Sequence, residues 1–190
     1  MDVAAASIGL LYLYLEYKAS IWMWMASIVM AVFFVYIFYA SQLYANMAIY
    51  IYFGGASIYG WIAWRNQNRN KETGEHILLR LPRTQIKRIA LLIIISFICI
   101  ASILYVATSY QIVVSSLDAF ITALNIVALW MASRKWAEQW CLLIPANLLS
   151  SILLYMQGEP ASALMFLIYF VVSIFGYFNW VKMARVHTKQ

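Results

Sequence analysis

Charge is what this 190-residue chain has least of: Asp, Glu, Lys and Arg make up 11% of it, against roughly 25% in soluble domains. So few charges cannot cover a soluble surface. Three prolines and seven glycines exclude collagen-like and Pro/Gly-rich chains. Two cysteines, Cys99 and Cys141, both inside apolar runs, exclude a disulfide framework. The usual carriers of catalysis are missing as well. No Gly-rich phosphate loop, Walker lysine, Ser/His/Asp set or catalytic carboxylate pair lies in the apolar segments. His76 and His187 fall in hydrophilic stretches, so neither belongs to an intramembrane metal cluster. What is present is 65% hydrophobic and 17% aromatic residues with a mean hydropathy of +0.79. That composition is that of an integral membrane protein.

A helix needs about 20 mostly apolar residues to cross the hydrocarbon, and shorter runs are tolerated inside a bundle. Seven segments qualify, predicted at Val3 to Tyr17, Ile21 to Ala40, Asn46 to Trp64, Ile89 to Tyr110, Asp118 to Ser133, Trp140 to Met156 and Ala161 to Met183. All 13 Lys and Arg fall in alternate breaks: Lys18, the Arg65 to Arg88 stretch, Arg134 with Lys135, and the tail with Lys182, Arg185 and Lys189. The intervening breaks and the N-terminus hold none. The positive-inside rule therefore predicts an outside N-terminus and a cytoplasmic C-terminus. The net charge of +6 is thus a topology signal and argues for a lipid bilayer as partner, not nucleic acid. Met1-Asp2 offers no basic n-region of a signal peptide, so the first stretch is expected to stay as a helix.

Shifting the chain by 116 residues lays 1–67 on 117–183 without gaps. Trp24 then meets Trp140, Ser57 meets Ser173, Gly60 meets Gly176 and Trp64 meets Trp180. Lys18 and Arg134, and Phe53 and Tyr169, are like-for-like swaps. Three helices per half and one helix between them make a 3+1+3 parallel repeat. The expected divisions are 1–67 and 117–183 as three-helix bundles, 68–88 as a cytoplasmic loop, 89–116 as linker helix and outer loop, and 184–190 as a tail. In parallel-repeat carriers the substrate site lies near the midplane between the repeats.

Intramembrane polar side chains mark where a solute travels, or else lock helices together. Asn125 lies mid-way along the fifth helix and Asn147 in the sixth, two positions beyond Pro145. Trp140 precedes Asn147 by seven residues, which puts both on nearly one helix face. An indole beside an amide suits a flat cationic heteroaromatic, through stacking, cation–π attraction and hydrogen bonds. Asn46 and Tyr50, one turn apart, share a face of the third helix, and Tyr177 is expected to line the same path. Asp2 and Asp118 read as helix-start carboxylates. Glu16 and Glu138 read as interfacial partners of Lys18 and Lys135, and Trp22, Trp24, Trp61, Trp64, Trp136 and Trp180 as an interfacial belt.

Three stretches carry a resemblance to a known family: Leu43-Tyr44-Ala45-Asn46-Met47, Ser57-Ile58-Tyr59-Gly60-Trp61-Ile62-Ala63-Trp64, and Asp118-Ala119-Phe120 through Glu138-Gln139-Trp140 to Gly176-Tyr177-Phe178-Asn179-Trp180. In these the chain resembles the PnuC family of vitamin transporters over essentially its full length. The resemblance implies an all-α integral membrane protein of the bacterial inner membrane, a SWEET-like bundle of seven transmembrane helices. It implies facilitated diffusion of an unphosphorylated B-type vitamin, trapped afterwards by a cytoplasmic vitamin kinase, with no cofactor. A homo-oligomer is compatible with such a fold. Carriers of nicotinamide riboside in the family show a second Trp where Leu143 stands and a Gln where Tyr50 stands. The chain is similar in this to the thiamine branch, so thiamine is the expected substrate and nicotinamide riboside the alternative. A non-transporting membrane scaffold or sensor, in which the Asn residues only lock helices, is the reading from another class.

Overall fold

In a computed structural model the described residues are 3–66, 78–107 and 112–187. They form seven α-helices: α1 Val3–Tyr17, α2 Trp22–Ala40, α3 Tyr44–Asn66, α4 Ile86–Ala107, α5 Ile112–Ser133, α6 Gln139–Met156 and α7 Pro160–His187. A single 3-10 turn, Arg83–Gln85, leads into α4. Asp2, Arg69, Lys71, His76, Lys189 and the expected end of the fourth helix at Tyr110 lie outside the described residues.

An all-helical chain is what lipid demands, because a helix satisfies its backbone polar groups within the segment. Five stretches are long and apolar enough to cross a membrane: Trp22–Ala40, Arg83–Ile103, Ser116–Ser133, Gln139–Met156 and Pro160–Arg185. Of the others, α1 has 15 residues, and α3 is diluted by Asn46, Ser57 and three glycines. Two boundaries depart from expectation. Helix α5 begins at Ile112, because Ile112-Val113-Val114 continues the apolar run and serines 115 and 116 do not interrupt an internally bonded helix. Helix α7 continues through His187, so residues 184–187 extend the last helix instead of forming a tail.

Within each half, α2 packs on α3 and α6 on α7, and the halves meet where α1 touches α7 and α3 touches α5. Four helix ends close with the same motif. Ala19, Gln42, Lys135 and Gly158 have φ of 51°, 58°, 61° and 81°, and around each the next residue's N–H reaches back five positions. Ser20 N donates to Leu15 O, Leu43 N to Phe38 O, Trp136 N to Met131 O and Glu159 N to Leu154 O. These are Schellman closures with a left-handed residue at the turn. Their positions differ in pairs by the 116-residue shift found in the sequence.

The same shift relates the core. Trp24 and Trp64 meet edge-on with centroids 5.8 Å apart, and Trp140 and Trp180 do so at 5.9 Å. Trp64 and Trp180 then join the pairs across the halves at 6.1 Å. All four are fully buried, so Trp24, Trp64 and Trp180 belong to the core and not to an interfacial belt, whereas Trp22 is exposed. Glycine makes this possible: a Cβ on Gly60 would stand 2.5 Å from the Trp24 ring, and one on Gly176 2.7 Å from Trp140. Over this end a strap at 78–82 is tied to the α5–α6 turn. Leu79 N donates to Lys135 O, Ala137 N to Leu79 O, and the Glu138 carboxylate accepts from Arg80 Nε at 2.6 Å and Leu81 N at 2.7 Å. Glu138 is therefore the partner of Arg80. Lys135 is buried with its ammonium 5.3 Å from the Trp64 ring centroid.

Two stability outcomes follow. Gly176→Ala is expected to cost about 1–3 kcal/mol, because the Trp140 ring has no room to retreat. The thermal midpoint in detergent should fall by several degrees and should fall further with Gly60→Ala. Gln42→Gly, at the exposed turn whose counterpart is already Gly158, should raise the midpoint by relieving up to about 1 kcal/mol of left-handed strain. An unchanged midpoint would count against that strain.

Candidate functional site

Between the halves lies a cavity of about 570 Å³, within the range of small-molecule sites. Its floor is formed by Glu16 at the end of α1 and Gln139 at the start of α6, next to the tryptophan cluster. Its far end is formed by Phe38, Asn46, Asp118 and Gln157, and of these Asp118 and Gln157 are exposed. The cavity is thus shut by the four tryptophans at one end and reaches the surface at the other. Every described Lys and Arg belongs to the shut end.

Asn46, Tyr50, Asn125 and Asn147 all line this cavity, so four residues singled out from the sequence are brought together. Asn147 Nδ2 donates to Ser173 Oγ at 2.9 Å, and Ser173 Oγ donates to Tyr169 O at 2.7 Å. Asn125 Nδ2 donates to Ile121 O of its own helix at 3.0 Å. The Tyr50 ring is held by Phe34, Phe38 and Phe53 at centroid distances of 4.8, 5.3 and 5.7 Å. Phe38, Tyr50 and Phe53 line the cavity and give it an aromatic wall from α2 and α3.

Trp140 and Tyr177 are placed elsewhere. Trp140 shares the α7-facing side of α6 with Asn147, as the seven-residue spacing requires, but its indole fills the slot over Gly176 and is fully buried. The cavity face of α6 is instead Gln139, Leu143 and Asn147, at four-residue steps. Tyr177 packs against the tryptophan core, outside the cavity lining. Asp118 is not a helix-start residue: α5 begins six positions earlier, and Asp118 lines the open end.

Sequence reasoning missed the floor. Glu16 is 3% exposed and faces the Tyr12 hydroxyl and the Gln139 amide, while Lys18 lies over the exposed ring of Tyr14. Neither polar atom of the Gln139 side chain reaches a partner at hydrogen-bonding geometry. Glu16 sits only two residues before a lysine, which gives it the local context of a surface ion pair and no sequence signal of burial. Tyr169 had a sequence signal, its pairing with Phe53 in the repeat. Its hydroxyl fits against Gly9, where a side chain would collide with it.

Residues 1–182 match the family model described as nicotinamide mononucleotide transporter. The chain belongs to this family. Its members are membrane transporters, not enzymes, and the family is the PnuC family that the sequence resembles. The nicotinamide riboside transporter PnuC of Escherichia coli is 30% identical over 170 residues, covering 78% of this chain and 71% of the relative. That of Haemophilus influenzae is 27% identical over 182 residues, covering 93% and 77%. A crystal structure of the vitamin B3 transporter PnuC superposes with a TM-score of 0.70 at 24% identity, over 96% of this chain and 81% of that one. The all-helical fold is thus that of a known transporter. The substrate in these relatives' names is nicotinamide riboside, the alternative that stands beside thiamine in the sequence reading.

Asn147→Leu removes an amide from the cavity and a hydrogen bond to Ser173. It should fold, at a cost of about 0.6–2 kcal/mol, and lose at least tenfold in affinity for whichever of thiamine and nicotinamide riboside the parent binds, read by tryptophan fluorescence titration. A variant that binds as the parent does would assign Asn147 to helix locking alone.

Proposed function

We propose that this chain is an inner-membrane carrier for uptake of an unphosphorylated, cationic heteroaromatic vitamin, with nicotinamide riboside favoured. The observation that carries this is the cavity itself, enclosed between the halves of a PnuC-family bundle and walled by rings and amides. Rings supply stacking and amides supply hydrogen bonds to a flat polar solute. A phosphate is disfavoured: among the described lining residues are two carboxylates, Glu16 and Asp118, and no Lys or Arg. A phosphate dianion taken into a site of low dielectric with no cation to pair with it is costly.

Transport is facilitated diffusion by alternating access, in which the three-helix units 1–67 and 117–183 rock about the cavity. With the cations of the shut end facing the cytoplasm, the N-terminus is outside and the cavity faces outward. A cytoplasmic kinase then traps the vitamin. Thiamine is the second reading, favoured by Leu143 and Tyr50, which both line the cavity where riboside carriers are expected to place Trp and Gln.

Proteoliposomes holding the purified protein should take up labelled nicotinamide riboside to its outside concentration with no ion gradient, and no further unless a riboside kinase and ATP are enclosed. Accumulation above that level without the kinase would contradict passive transport. Uptake of thiamine in preference to the riboside would select the second reading.

A further inference from the structure

The floor of the cavity holds an acidic side chain with no cationic partner among the described residues, and an acid buried there without a counter-charge needs an explanation. Glu16 is 3% exposed, at a depth where an unpaired ion is expensive. Its neighbours are neutral: the Tyr12 hydroxyl one turn earlier on α1, the Gln139 amide on α6 and the Tyr169 phenol on α7. Lys18 lies over Tyr14 on the exposed side of α1, and Arg80 is engaged by Glu138. The Gln139 amide, also fully buried, faces that acid, and neither of its polar atoms reaches full hydrogen-bonding geometry with it or with any other described residue. A buried acid and a buried amide therefore stand side by side at the blind end of a cavity big enough for a small molecule.

We propose that Glu16 is the group that reads the positive charge of the transported ring, with Gln139 supplying an adjacent donor and acceptor. This rests on the carrier function proposed above and adds the determinant of its selectivity. A carboxylate at the floor supplies the counter-charge that a desolvated pyridinium or thiazolium needs, and the aromatic wall of Phe38, Tyr50 and Phe53 supplies none. Rings favour a charged ring only through the weaker cation–π attraction and amides through dipoles, so most of the charge selection falls to the acid. Asp118, the other carboxylate of the lining, is exposed to water at the open end, where screening weakens its discrimination.

The experiment compares nicotinamide riboside, thiamine and the reduced, uncharged dihydronicotinamide riboside, by calorimetric titration of the full-length protein in detergent. Parent protein and Glu16→Gln are titrated in parallel, because Gln keeps the shape and hydrogen-bonding reach while removing the charge. The parent should bind a cationic vitamin at least tenfold tighter than the uncharged riboside. Glu16→Gln should erase that gap by weakening the cation and leaving the uncharged form within about twofold. A gap that survives in Glu16→Gln, or equal loss of charged and uncharged ligands, would overturn the assignment and leave vitamin carriage standing. Absence of binding of both nicotinamide riboside and thiamine to the parent would overturn the carrier reading, and the role of Glu16 with it.

Discussion

The structure turns on two reciprocal hydrogen bonds. Trp64 Nε1 at the end of α3 donates to Ala132 O near the end of α5 at 3.0 Å, and Trp180 Nε1 at the end of α7 donates to Glu16 O near the end of α1 at 2.9 Å. Each half thus uses its third helix to hold the first helix of the other. Asn179 adds a bond of the same kind, from Nδ2 to Tyr17 O at 2.9 Å. Buried in an apolar surrounding, an indole N–H without an acceptor costs about 1–3 kcal/mol, so each bond selects one docking of the halves. Together with the strap on the α5–α6 turn, this exchange fixes the first helices at their ends, where the floor of the cavity is made.

That the bonds are reciprocal shapes the cavity. The carbonyl that receives Trp180 belongs to Glu16 itself, so the same contact that closes the end of the bundle also sets the rotation of α1 and turns the Glu16 side chain inward. The corresponding position in the other half is Ala132, which is fully buried and brings no charge. The 116-residue correspondence keeps the frame while the residues on it differ: one half contributes a carboxylate where the other has a methyl group. Likewise Asn147 stands opposite Ala31, and both line the same cavity. A site between like halves thereby acquires an acidic floor on one side and an amide wall on the other.

Most of the fold was legible because lipid leaves so few choices. Seven apolar runs and the sorting of every Lys and Arg into alternate breaks gave the helices to within a few residues, and the 116-residue shift picked out the paired glycines and tryptophans. Side-chain direction was less legible. A seven-residue spacing correctly put Trp140 and Asn147 on one face, yet that face looks at α7, and only the groove left by Gly176 shows that the indole goes there. Glu16 illustrates the other gap. Next to Lys18 it has the sequence context of a surface ion pair, and its inward direction goes with the bond from Trp180 to its own carbonyl, a contact between distant parts of the chain that the local sequence does not advertise. The four cavity residues foreseen were those for which polarity inside an apolar run was itself the signal.

Trp24 and Trp140 carry the same mark on both halves: their indole N–H groups are buried and make no hydrogen bond, while their partners Trp64 and Trp180 bond across the interface. The shut end therefore stores two unmet donors beside two satisfied ones. Were water admitted there, the donors of Trp64 and Trp180 would exchange a carbonyl for water, and those of Trp24 and Trp140 would gain a partner they now lack. Hydration thus repays part of the cost of separation, so the hydrogen bonds fix which arrangement the closed end takes while the packing of the rings, which water cannot replace, resists its opening. An end closed in that way gives up little hydrogen bonding on opening, which suits the alternating access proposed for this carrier.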